Sequence, residues 1–196
     1  MSRPTDNIDL KELIAAIARG DERAFTAFYD ATCSKVYGLA CYILKDEALA
    51  EEVTMDTFLQ VWREAKNYRE QQAQPLAWLT MIARSRAIDR LRARNSSHLL
   101  FDGMAHDNDL IDPQRQPDEC LMADESSELV RACFAKLPQI QRELLGLAFF
   151  KGLSHHEIAV HSDIPLGTVK THIRQGMAQM YTLLAESANP ELQNRS

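Results

Sequence analysis

Apolar residues in this 196-residue chain recur every three or four positions and almost never every second one. That spacing puts them on one side of a helix with 3.6 residues per turn, whereas a half-buried strand needs strict alternation. The chain is therefore expected to be all-α. Helices are expected over about 10–19, 22–44, 47–65 and 75–94. Asp21 and Asp46 stand where N-caps are needed, because a short carboxylate there accepts the first unpaired amides. Gly20-Asp21 breaks the first pair of helices, and the polar stretch 67–74 forms a loop leading into Pro75.

Helical periodicity lapses over 96–123, which contains Gly103, Pro113, Pro117 and many acids. Such a composition has too little apolar surface to fold by itself and reads as a flexible acidic linker. Helical patterning returns from 124, with Leu137-Pro138 as a turn before a helix over 139–150. The expected architecture is two small helical domains, 1–95 and 124–196, joined by that linker over 96–123. No internal repeat is visible.

The C-terminal domain carries the densest signal. Ser154 and Glu157 have the spacing of a capping box, so a short helix begins there, with Ile158, Ala159 and Val160 as candidates for its inner face. Ser162-Asp163 breaks it, and Pro165 suits the first turn of the next helix, where a missing amide costs nothing. Leu166, Val169, Ile173, Met177, Met180 and Leu184 then form one apolar stripe on a helix running to about 184. Thr168, Thr171, His172 and Gln175 lie opposite, with Lys170 and Arg174 on the flanks. Two short helices around a tight turn make a helix-turn-helix, whose second helix enters the major groove of duplex DNA. Small hydroxyl and amide groups read base edges, and flanking cations reach phosphates. The plainer alternative is an amphipathic hairpin with a solvated polar face.

A net charge of −6 would be odd for a protein that simply coats nucleic acid. The charges are segregated, however. Five acids and no cation occupy 46–56, and five arginines with one acid occupy 84–94. From 102 to 128 there are nine acids and one cation. Different faces are thus expected to meet different partners. The four cysteines, Cys33, Cys41, Cys120 and Cys133, form no Cys-x-x-Cys pair and read as free, mostly buried thiols. No cofactor or metal site is expected. No apolar run reaches the 18 or so residues of a membrane span, and the N-terminus lacks a signal-peptide pattern, so a cytoplasmic location is expected.

Two helices of the first domain present unusual faces. On the helix over 47–65, Ala50, Val53, Thr54, Thr57, Phe58, Val61 and Ala65 share one side. Glu52, Met55, Asp56, Leu59 and Arg63 fall on the other. An apolar centre inside a charged rim resembles a protein–protein contact, and a plain solvated acidic face is the competing reading. The helix over 75–94 interleaves Trp78, Leu79, Ile82, Ala83, Ile88 and Leu91 with arginines. Trp78 reads modestly as core. Five arginines in eleven residues repel one another unless an anion compensates, and nucleic-acid phosphates are the natural anion. Tyr68 and Arg69 stand beside this cation-and-aromatic surface, which also suits unpaired bases.

Ala50-Glu51-Glu52-Val53, Asp56, Phe58-Leu59 and Val61-Trp62-Arg63, followed by Trp78-Leu79, Ile82-Ala83-Arg84, Arg86-Ala87-Ile88-Asp89 and Leu91-Arg92, resemble region 2 of the extracytoplasmic function (ECF) sigma factors. Leu137-Pro138, Gln141-Arg142, Gly152-Leu153-Ser154, Glu157-Ile158-Ala159, Ile164-Pro165 and Gly167-Thr168-Val169-Lys170 are similar to their region 4. The resemblance implies a bacterial transcription initiation factor that binds core RNA polymerase and directs it to promoter DNA, held in check by an anti-sigma factor. By motif position it implies that Glu52, Met55, Asp56 and Leu59 meet the clamp helices of the largest polymerase subunit. Tyr68, Arg69, Trp78, Arg84, Arg86, Arg90 and Arg92 would serve the −10 element. Thr168, Lys170, Thr171, Arg174 and Gln175 would read the −35 element. Met55 stands where many members carry Gln, Ser85 where Asn is frequent, and Thr171-His172 where Ser-Arg is frequent, so detailed base preferences do not transfer.

Two other classes fit less well. His156-Glu157 invites a zinc-protease reading, but position 160 is Val and His161 falls one residue too late to share the face. No Gly-rich phosphate loop or nucleophile elbow is present, so no enzyme is expected. A dimeric repressor or activator with the same reader would carry a dimerisation or sensing domain, and would bind a palindromic duplex without polymerase.

Overall fold

The computed structural model describes residues 9–101 and 125–188, and every regular element among them is helical. Two compact units result. The first contains α1 (Leu10–Ile17), α2 (Glu22–Leu44), α3 (Glu47–Glu64), a single 3-10 turn (Ala65–Asn67) and α4 (Pro75–Phe101). The second contains α5 (Glu125–Ala135), α6 (Gln139–Phe149), α7 (His155–Ser162) and α8 (Leu166–Ala188). Most of the expected acidic linker lies outside the described residues. Its first residues, 96–101, instead continue α4, which runs past Arg94.

The helix starts follow the capping rule. Asp9 accepts the amide of Lys11, Asp21 those of Arg23 and Ala24, and Asp46 that of Leu49. Gly20 adopts φ 88, the left-handed conformation that turns the chain between α1 and α2. Lys45 closes α2 in the same region at φ 56, without the glycine that such a position favours.

In the first unit α2 packs against both α3 and α4, which also pack on each other. Phe28 and Val36 of α2, Val61 of α3, and Leu79 and Ala83 of α4 are fully buried. Phe25 meets the Trp62 ring edge-on at 5.3 Å, and Phe28 meets Phe58 at 6.4 Å, the offset geometry that aromatic quadrupoles favour. Three threonines are buried in this unit at almost no polar cost. The hydroxyls of Thr32, Thr54 and Thr57 each donate to the carbonyl four residues back, at 2.7 Å. The expected inner face of α3 is buried throughout.

The second unit has a smaller centre of Leu144, Ile158 and Val169, one from each of α6, α7 and α8. Ser154 and Glu157 form the expected capping box: the Ser154 hydroxyl accepts the Glu157 amide, and Glu157 Oε2 accepts the Ser154 amide at 2.7 Å. Asp163 ends α7 at φ 53, and the Pro165 carbonyl accepts the amides of Thr168 and Val169 as α8 starts. α8 crosses α6 at Gly176. A β-carbon there would stand 2.7 Å from Leu145 Cδ1 and 3.3 Å from Gln141 Cβ, so the side-chain-free position permits the close approach.

Several expected placements are overturned. Val160 is 73% exposed, leaving Ile158 and Ala159 as the inner face of α7. Met177 is 60% exposed, because eight residues from Val169 is about 80° of rotation, at the edge of the stripe. His172, expected on the outer side, is half-buried, and its Nδ1 is enclosed without a hydrogen-bond partner. Cys133 is buried, whereas Cys33 and Cys41 are only half-buried, and Cys120 lies outside the described residues.

Both tryptophans, Trp62 and Trp78, belong to the α1–α4 unit, so their fluorescence reports its unfolding alone. Phe28→Ala is expected to remove about 3–5 kcal/mol from that unit, from lost apolar transfer plus a residual cavity. Urea titration followed by tryptophan emission measures it directly; an unshifted midpoint contradicts the assigned core.

Candidate functional site

The α3 helix turns Glu52, Met55, Asp56 and Leu59 outward together, because its buried stripe is committed to α2 and α4. Met55 is 66% and Leu59 46% exposed. Single exposed apolar residues are ordinary on protein surfaces. These two are neighbours one turn apart and flanked by acids, which distinguishes the face from chance exposure. Beside them a cavity of about 160 Å³ is lined by Asp56, Leu59, Gln60, Arg63, Glu64 and Arg86.

The arginines of α4 divide in a way that sequence spacing did not anticipate. Arg90 Nη2 donates to Glu52 Oε2 at 2.6 Å, an ion pair linking α4 to the α3 face. Arg86 Nε donates to Gln60 Oε1 at 2.8 Å, and Gln60 Nε2 in turn donates to Glu64 Oε1 at 3.1 Å. Arg94 Nη1 donates to the Leu44 carbonyl at 3.0 Å. Arg86, Arg90 and Arg94 thus find acceptors within the protein, so phosphate is not the only group that compensates the run. Two positions along a helix is about 200° of rotation, so Arg84 and Arg92 leave α4 on a different side from Arg86 and Arg90. Partial burial lowers the pKa of Arg84, and the charge of Arg92 adds to the effect.

Tyr68 and Trp78 pack together at 5.1 Å, and both rest on the core. The Tyr68 hydroxyl donates to the Ala73 carbonyl at 2.8 Å, tying the two ends of the 68–73 segment. Arg69 is exposed but folded back, its Nη1 donating to the carbonyls of Lys66 and Tyr68. Glu70 at the tip of the loop forms an ion pair with Lys11 of α1. The seven residues expected at the −10 element therefore do not share one surface. Tyr68, Arg69 and Trp78 surround the loop, Arg84 and Arg92 occupy another side of α4, and Arg86 and Arg90 join the α3 face. Lys11 and Gln60 escaped the sequence reading because their partners lie in other elements.

On the second unit the residues expected to read DNA all lie on the solvent side of one helix. Thr168, Lys170, Thr171, Arg174 and Gln175 are all exposed on α8, while Val169 and Gly176 point inward. The Thr171 hydroxyl donates to the Gly167 carbonyl at 2.9 Å, leaving its lone pairs as acceptors. His155 and His156 are exposed in the first turn of α7. Among the described residues no group of three His, Cys, Asp or Glu side chains is arranged to hold a metal ion. No helix among them is long and apolar enough to cross a membrane.

The two units coincide with two family models. Residues 28–97 match Sigma-70 region 2, and residues 127–180 match Sigma-70, region 4. The chain is 34% identical to the ECF RNA polymerase sigma factor SigK of Mycobacterium ulcerans, over 94% of this chain and 98% of that one. It is 33% identical to the SigK of Mycobacterium sp. strain JLS, over 94% of this chain and 95% of that one. Rhodobacter sphaeroides SigE, solved in complex with the anti-sigma ChrR, is similar at 31% identity and a TM-score of 0.47, covering 91% of this chain and 99% of that one. Helix content, the paired motifs and 34% identity over nearly the full length agree: the chain belongs to the ECF sigma factors of RNA polymerase.

Proposed function

We propose that residues 1–95 dock on core RNA polymerase and open the −10 element, while residues 124–196 read the −35 element as duplex. The observation that carries this reading is the outer face of α3. There Met55 and Leu59 stand exposed between Glu52 and Asp56, next to a cavity of side-chain size. An apolar centre with a charged rim is the anatomy of an interface rather than of a solvated helix. The clamp helices of the largest polymerase subunit are the occupant in this reading. The bonds from Arg86 and Arg90 to α3 favour assigning those two arginines to the polymerase face as well.

The −10 element falls to the 68–74 loop, with Tyr68, Arg69 and Trp78 at the unpaired base, and to Arg84 and Arg92, on another side of α4, at the backbone. Opening a base pair costs stacking energy, and capture of an unstacked base beside aromatic rings returns part of it. Arginines add a phosphate attraction that weakens as salt rises. On α8, Thr168, Thr171 and Gln175 offer hydrogen bonds to base edges, and Lys170 and Arg174 reach phosphates or guanine. The protein makes and breaks no bond in this scheme, and polymerase supplies the chemistry in the bacterial cytoplasm. An anti-sigma factor restrains it.

Charge reversal at Glu52 and Asp56 is expected to weaken association with core polymerase by about tenfold or more, since rim charges become repulsive. Fluorescence titration with purified core measures this, and unchanged affinity removes the α3 face from the docking surface. Replacing Thr171 and Arg174 with Ala is expected to cost about 1–3 kcal/mol for each base edge left unread. Run-off transcription over a library of −35 variants would expose that cost as a flattened preference; an unaltered ranking assigns the reading elsewhere.

A further inference from the structure

The loop assigned to the −10 base is attached both at its base and at its tip. The Tyr68 ring lies against Trp78, and its hydroxyl closes the loop on the Ala73 carbonyl at 2.8 Å. Both of these hold the base of the loop. The tip is held from elsewhere: Lys11 Nζ donates to Glu70 Oε1 at 2.5 Å, across 59 positions of sequence. Lys11 stands on a firm platform, since Asp9 caps the first turn of α1 and Ile14 and Ile17 are buried in the core. The hydrogen bond to Glu70 raises the Lys11 pKa from its ordinary value.

We propose that Lys11 is a positioning residue for promoter opening, holding the tip of the 68–74 loop through Glu70 in the arrangement that accepts an unpaired −10 base. This rests on the reading that the loop takes that base. The physical reason is preorganisation. A pocket whose wall must be ordered at the moment of capture loses affinity to conformational entropy, and a contact formed beforehand removes that cost. The effect is modest, because Lys11 and Glu70 are partly solvated, at 38% and 55% side-chain exposure, and exposed pairs are weak.

The test uses the full chain reconstituted with core polymerase. Lys11→Met keeps the aliphatic stem without its charge, Glu70→Gln removes the acceptor charge, and the double variant Lys11→Glu/Glu70→Lys exchanges the two. Run-off transcription is read over promoters substituted singly at each −10 position behind a constant −35 element. Each single variant is expected to lower output from the preferred −10 sequence by about two- to fivefold and to flatten the preference at the captured base. The exchanged pair is expected to restore both. A merely structural role would instead lower the urea midpoint and depress every promoter alike. Uniform loss across the library, or an exchanged pair that fails to restore the preference, overturns the proposal. Gln71→Ala and Gln72→Ala at the exposed loop tip separate the two layers. If they shift the −10 preference and Lys11→Met does not, only the role of Lys11 falls. If neither does, the loop is not the reader, and both claims fall together.

Discussion

The burial of the apolar stripe of α2 against α3 and α4 is the constraint from which the first unit follows. Once Phe28 and Val36 are enclosed, α3 must spend Phe58 and Val61 on the same core, and α4 must spend Leu79, Ile82 and Ala83. Each helix has a single side left for anything else. Met55 and Leu59 are exposed on α3 because no neighbouring element remains to cover them. The outer face of α3 is thus a remainder of core packing, and the fold itself does not decide which residues stand there.

Electrostatics work on this scaffold at two scales. Along the sequence, acids and arginines fall in separate blocks, which suggests separate partners. In space the blocks touch, because the α3 and α4 helices lie side by side and Glu52 reaches Arg90. Pairs as exposed as this one contribute little to stability. Their consequence is organisational: the acidic face of α3 carries its own cations and is a mosaic of both signs. Such mosaics favour register and partner choice over raw affinity.

The second unit depends on one close crossing. A tight turn ending α7 at Asp163 and a bare backbone at Gly176 let α8 lie close against α6. That crossing sets the rotation of α8 about its axis. Thr168, Thr171 and Gln175 consequently emerge together on the outer side, while His172, a single position from Thr171, is drawn inward. The packing behind the helix therefore decides which of its side chains reach the surface together.

Helix identity, caps and buried faces were legible in the sequence because each arises from spacing within one element. Asp21, Asp46 and the Ser154–Glu157 box act on amides two or three residues away, and the α3 stripe needs only the 3.6-residue period. The family was equally legible, since its motifs run along single helices in order. Tertiary structure alone decided which acceptors Arg86, Arg90 and Arg94 find, why Val160 and Met177 face solvent, and that Lys11 holds Glu70. The reason is physical: a one-dimensional period defines a face only to within tens of degrees, and a charge finds its partner by proximity in space. Contacts such as Lys11–Glu70 leave no periodic trace, so the fold itself must bring their residues together.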